Sequence, residues 1–286
     1  MRIATNHIWA PALPLIIAAS LFTSSYGGDS RPSIANDCGY LTFFLDNDLF
    51  AGTDQNYTNG ARLSYITEGR PVIDIPFVQQ NLHRFSADGD GKSLLQRIWG
   101  FDDPSKVQYS YGFALTQLMY TPSDQDTLTA PAGERPYAGW AGLGISLHAR
   151  DENILNTVEI SIGVVGPHAQ GEETQNIIHD ARDIDRFQGW DSQIPNEVTL
   201  NLHFEQKRRW KQLRNMNFPL NLKCDGFHET GYSIGNQITE AHVGFLVRLG
   251  WNLPIEFSDA RLTPTAHTQK LYSDETINNR KWSVYI

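Results

Sequence analysis

From residue 40 onward the chain repeats apolar and polar positions with a period of two. Residues 107–120 read Val-Gln-Tyr-Ser-Tyr-Gly-Phe-Ala-Leu-Thr-Gln-Leu-Met-Tyr. Residues 137–149 place Trp140, Leu143, Ile145 and Leu147 at mostly two-residue steps, and residues 157–165 alternate through Val158, Ile160, Ile162 and Val164. Further alternation covers 198–205, 220–225 and 242–251. Side chains on a strand point to opposite faces in turn, so each run predicts a strand with one apolar face. Each is about ten residues long, the length a tilted membrane-spanning strand needs. Tyr, Trp and Phe recur near the strand ends, as they do in interfacial girdles. A soluble sandwich also alternates, but with shorter strands and no aromatic ends. The expectation is an all-β, antiparallel outer-membrane barrel.

The stretch around which the rest is organised comes early. An apolar run over 40–45 ends in Asp46, Asn47 and Asp48, a Gly/Asp/Asn segment follows, and a second alternating run begins at Thr58. This reads as strand, tight loop and returning strand. Asp and Asn are poor strand formers, and turns favour them. The hairpin end would hold Asn47, Asp48 and Thr58 close together. Asp46, Asp48 and Asp54 imitate an EF-hand, but the sixth position is Ala51 and the twelfth Tyr57, so that motif fails. Their carboxylate, amide and hydroxyl oxygens still suit a hard cation such as Ca²⁺.

Strand parity places the loops. If the first strand runs outward from the periplasm, the 46–58 connection lies on the outer rim, and so do 121–136 and 166–196. Asp151-Glu152-Asn153 is then a tight periplasmic turn, as barrels prefer. Within 166–196, residues 170–186 predict a helix, with Glu172 and Glu173 in its first turn and Gly189 beyond its end. Gln175, His179 and Asp183 are spaced four apart on that helix, which puts them on one face. A histidine flanked by an amide and a carboxylate is oriented to act as a base. Residues 77–99 are expected to hold short helices.

Composition narrows the class. Net charge is −9 over 286 residues, which argues against a nucleic-acid partner. Mean hydropathy is −0.38, too low for a helical membrane protein but not for alternating barrel strands. Arg2, the apolar stretch 8–22 and the small polar residues after it read as a secretory signal. The domain reading is therefore a signal peptide over residues 1–28 and a barrel over 29–286. Cys38 and Cys224 fit no metal-ligand spacing; an exported chain could pair them, but two buried thiols is the preferred reading. Ser146 and His148 share a strand face but lack a nucleophile elbow, and are read as wall residues.

Several motifs in fixed order add a resemblance. They are Leu45-Asp46-Asn47-Asp48-Leu49-Phe50, Thr53-Asp54-Gln55-Asn56-Tyr57-Thr58-Asn59-Gly60 and Glu134-Arg135-Pro136-Tyr137-Ala138-Gly139-Trp140. Gly166-Pro167 through Gln175-Asn176 to His179, then Gly189-Trp190-Asp191-Ser192-Gln193 and Asn196-Glu197, complete the set. Together they resemble the outer-membrane lipid A 3′-O-deacylases of Gram-negative bacteria. That resemblance implies a twelve-stranded barrel and Ca²⁺-dependent hydrolysis of the ester-linked 3′-acyloxyacyl group of lipid A at the outer leaflet. It implies His179 as catalytic base, Asn47, Asp48 and Thr58 as further catalytic residues, and Asp48 with Asn47 at the metal. Arg135 and Gln175 would bind the lipopolysaccharide substrate. Two departures stand out. Where characterised members carry a basic loop, residues 121–126 hold no Lys or Arg. The final residues Trp282-Ser283-Val284-Tyr285-Ile286 read as the start of a strand, after only about eight others. A non-catalytic barrel, pore or adhesin, is the alternative reading.

Overall fold

The computed structural model describes residues 17–21, 39–47, 59–67, 69–71, 99–101, 106–183, 185–216, 218–253, 257 and 284–285. Eight long strands form the sheet: β2 (Tyr40–Asn47), β3 (Asn59–Ile66), β5 (Gln108–Tyr120), β6 (Ala138–Arg150), β7 (Ile154–Val165), β8 (Glu197–Arg209), β9 (Lys223–Gly235) and β10 (Glu240–Trp251). Three short ones join them: β1 (Ile17–Leu21) beside β2, β4 (Arg70–Pro71) beside β5, and β11 (Val284–Tyr285) beside β10. Every pairing is antiparallel, and the long strands pair in the order of the sequence, with the short β4 beside β5 off that path. This is the meander that short connections between antiparallel strands produce. β1 falls inside the segment read as a signal peptide, and its register runs from Ile17 opposite Leu45 to Leu21 opposite Leu41.

The sheet is inside-out. Leu115, Leu143, Ile145, Ile160, Ile162 and Phe245 all point to the exposed face. The buried face carries Arg62, Glu159, His148, His203, Lys207 and Arg248. In water an exposed apolar face of this extent would drive association; in lipid it is the solvated face. Among the described residues no helix is long and apolar enough to cross a membrane, so any crossing falls to the strands.

Inner-face partners show that the wall curves. Arg62 on β3 donates to Glu159 on β7 at 2.8 Å, both nearly fully buried. Three strand steps, about 14 Å, and four residues of register, about 13 Å, separate them on a flat sheet, so only a concave inner face brings the two side chains together. Gly144 on the intervening β6 makes room, because a Cβ there would lie 2.6 Å from a Glu159 carboxylate oxygen. Hydroxyl–histidine chains continue the lining: Ser146 Oγ to His148 Nε2 at 2.9 Å and His148 Nδ1 to Thr157 at 3.0 Å. His203 bridges Ser161 and Ser233 at 3.2 and 2.8 Å. Lys207 lies 3.5 Å from both Glu205 and Glu229, and Arg209 and Arg248 converge on Asp225. At that end Phe257 packs with Leu155 and Phe227, and the Arg209 guanidinium lies over its ring.

Two boundaries differ from the sequence reading. The alternation over 220–225 does not begin a strand at 220. Pro219 has no N–H to give, and Leu220 and Asn221 adopt left-handed φ of 60° and 58°, so residues 219–221 form a 3₁₀ turn. The strand proper, β9, runs on to Gly235. Its inner positions Asp225, Glu229 and Ser233 and its glycines interrupt the apolar alternation beyond residue 225. The helix predicted over 170–186 is α1 (Gly171–Arg182), bounded by left-handed Gln170 and Asp183. Of the region 77–99 only Trp99 is among the described residues. Trp99, Phe101 and Val107 pack outside the wall on Ala149 and Ile154.

Candidate functional site

Register brings one set of strand ends together. Asn47 pairs with Asn59, Asn59 with Met119, Tyr120 with Ala138, and Val165 with Glu197. The 48–58, 121–137 and 166–196 connections therefore leave the sheet at the same end, as strand parity predicts. Asp48 and Thr58 lie outside the described residues. Asn47 is placed as the last residue of β2, and its side chain is not described.

α1 is seated on the β5–β6 end of the wall. Gly171 and Gly139 approach so closely that a Cβ on Gly171 would lie 3.0 Å from the Gly139 Cα. Only glycine permits that contact on both sides. Gln117 of β5 donates its amide N–H groups to the carbonyls of Ala169 (2.8 Å) and Gln170 (3.2 Å). Gly166 N–H donates to Gly139 O at 2.9 Å, and Ile194 N–H to Tyr137 O at 3.1 Å. Beneath the helix, Tyr137, Phe187 and Trp190 form a buried aromatic cluster. Burial raises the Tyr137 hydroxyl above its ordinary pKa, and that hydroxyl donates to Thr127 O at 2.9 Å.

His179 and Gln175 both face this cluster and are buried, while Asp183 is exposed. Asp183 is the left-handed cap and does not flank His179 on the helix face, because α1 ends one residue before it. The orienting group is a backbone carbonyl instead. His179 Nδ1 sits 2.6 Å from Asp185 O. A carbonyl only accepts, so Nδ1 carries the hydrogen, and in neutral imidazole Nε2 holds the lone pair. The His179 ring also meets Phe187 edge-on at 5.7 Å. Asp180 and Arg186 clip the turn closed from outside, with Arg186 Nε donating to Asp180 Oδ1 at 2.7 Å. That hydrogen bond holds the Asp180 carboxyl below the ordinary range. Burial, with Glu173 and Asp191 nearby, raises the Glu172 carboxyl in the first turn.

Gln175 accepts from the Trp190 indole N–H at 2.7 Å. Its own amide nitrogen is buried and has no protein partner among the described residues. A buried amide left unmade costs free energy, so such a donor is placed for something outside the chain or stores strain. Sequence reasoning gave Trp190 no role; the indole's single N–H was the available signal. Arg135 is exposed and stacks over the Tyr120 ring at 5.2 Å, at the same end of the sheet.

Ser146 and His148 do make a serine–histidine hydrogen bond, but mid-wall and fully buried, with a threonine hydroxyl as third partner. They belong to the lining, away from the rim. Cys224 is buried and unbridged, and Cys38 lies outside the described residues. Among the described residues no three His, Cys, Asp or Glu side chains gather to hold a metal.

Known proteins complete the picture. No curated protein matches the chain. Among solved structures, LpxR from Salmonella typhimurium matches with a TM-score of 0.53 at 18% identity. The alignment covers 73% of this chain and 63% of that one, a likeness of fold. The family model described as "Outer membrane protein LpxR" matches residues 15–286. A match of that extent, over a wall that is apolar outside and ionic inside, settles the family: the chain belongs to the outer membrane protein LpxR family.

Proposed function

We propose that the protein is a carboxylic ester hydrolase that removes the ester-linked 3′-acyloxyacyl group of lipid A at the outer leaflet, with His179 as general base. Residues 1–28 would be the leader removed on export. The observation that carries the reading is the bond from His179 Nδ1 to Asp185 O, which leaves Nε2 as the proton acceptor.

In this mechanism Nε2 takes a proton from water, and the resulting hydroxide attacks the ester carbonyl. Collapse of the tetrahedral adduct breaks the bond to the sugar oxygen, and the imidazolium returns its proton to that alkoxide. The products are a free fatty acid and a hydroxyl. Gln175 is the candidate to point its unmade N–H at a substrate oxygen, and Arg135 to meet a lipid A phosphate. Thr58 would position water or substrate. Asn47 and Asp48 have the hard oxygen donors that Ca²⁺ prefers, and the ion, when bound, would stabilise the oxyanion as a Lewis acid.

Against a non-catalytic barrel, pore or adhesin, the imidazole oriented by Asp185 O and the buried Gln175 amide with an unmade N–H favour the enzyme. The test is ester release from purified lipid A in detergent. His179→Ala should lose roughly a hundred- to ten-thousandfold in rate, and Ser146→Ala should lose none. Full activity in His179→Ala would remove the general base. Chelator-insensitive activity would remove the metal and leave Asp48 without that role.

A further inference from the structure

The end of the sheet opposite His179 carries a second surface. Between β8 and β9 the chain makes a short helix, α2 (Lys211–Arg214), that folds back on the outer wall. Trp210 and Leu213 cover Gly226 of β9, where a Cβ would lie 3.0 Å from each side chain. Trp210 N–H donates to Gly226 O at 2.8 Å, and its indole N–H to His228 Nδ1 at 3.0 Å. Gly226 and His228 share the outward face with Tyr232 and Ile234, so α2 lies on the lipid side of the wall.

This connection is basic and apolar at once. Residues 207–223 contain six of the chain's 23 Lys and Arg and no Asp or Glu. Lys207 and Arg209 turn inward to carboxylates. Arg208, Lys211, Arg214 and Lys223 remain on the outer side or in the connection, and Lys211 and Lys223 are exposed. Beside them Met216 and Leu220 are 47% and 80% exposed. Leu220 O accepts from the indole of Trp251, the last residue of the lipid-facing row Val243, Phe245 and Val247. The Trp251 indole thus ties the connection, with its exposed Met216 and Leu220 and its cations, to the end of the lipid-facing row.

We infer that the 210–223 connection is an interfacial anchor that binds anionic glycerophospholipid headgroups. Met216 and Leu220 enter the acyl boundary, and Lys211 and Arg214 meet the phosphates. Cations beside buried apolar side chains at the edge of a lipid belt are what such a headgroup layer recruits. The choice of leaflet rests on the proposed function, which turns His179 to the outer leaflet and this end to the phospholipid leaflet. Binding of anionic headgroups does not depend on it.

The experiment offers the purified full-length protein equal phosphatidylglycerol and phosphatidylcholine, with a lipopolysaccharide arm, and counts retained lipids by native mass spectrometry. Wild type should retain phosphatidylglycerol about tenfold over phosphatidylcholine. Lys211→Gln with Arg214→Gln should bring the ratio near one, as should raising salt to about 0.5 M. A heat-modifiable gel shift checks that the double variant is folded; if it is not, the single variants and the salt arm decide. Equal retention by wild type, an unchanged ratio in folded variants, or lipopolysaccharide displacing phosphatidylglycerol through the same residues would overturn the inference.

Discussion

His179 Nδ1 lies 2.6 Å from the backbone carbonyl of Asp185, six residues further along the chain. The ring is on α1 and the carbonyl is beyond its end, so the geometry depends on the turn between them. Asp180 and Arg186 brace that turn from outside. Asp180→Asn should therefore lower kcat several-fold with little change in KM, and Asp180→Ala more. The pair is exposed and contributes little to global stability. Because the Asp180 carboxyl is held below its ordinary value, the brace is intact above the carboxylate range and is lost as pH falls through and below it. Unchanged kcat in both variants would show that the turn holds itself.

Trp190→Phe keeps the aromatic cluster and removes one donor. Gln175 Oε1 would be left buried without its 2.7 Å partner, at a cost of about 1–3 kcal/mol. Limited trypsin digestion should then cut the 166–196 connection faster at Arg182 and Arg186, while the barrel stays resistant. Equal cutting in the two proteins would mean the bond is dispensable.

Glu159→Gln should remove the buried carboxylate charge that faces Arg62 and leave its bond to Thr116 Oγ1 at 3.0 Å. Breaking a buried pair costs about 3–5 kcal/mol, and the heat-modifiable gel transition should fall accordingly. Gly144→Ala should lower it too, because the new methyl meets the Glu159 carboxylate at 2.6 Å. A transition unmoved in both would argue that the sheet is less curved than the Arg62–Glu159 bridge requires.

The fold was largely legible because period-two alternation is a local signal. It marked most of the long strands, and parity then brought their ends together. It misplaced the bounds of β9, starting at 220 and stopping at 225, because the inner positions beyond are charged and glycines replace apolar residues. The helix end signal at Gly189 was too late, because Asp183 takes the left-handed conformation that glycine more often fills. Arg62 and Glu159 were each readable as inward polar positions, but no local rule pairs residues three strands apart. At the site, the four-residue spacing marked Gln175 and His179. The true partner of His179 is a backbone carbonyl, which every residue has and which leaves no trace in sequence.

Hydrolysis of the 3′ ester, as proposed, would be reported by lipid A itself. Lipid A from cells expressing the wild-type chain, from cells expressing His179→Ala, and from cells without the gene should be compared by mass spectrometry. Loss of one acyloxyacyl unit from the 3′ position only with the wild-type chain is the result expected. Identical lipid A from all three, with the protein folded in the outer membrane, would contradict it.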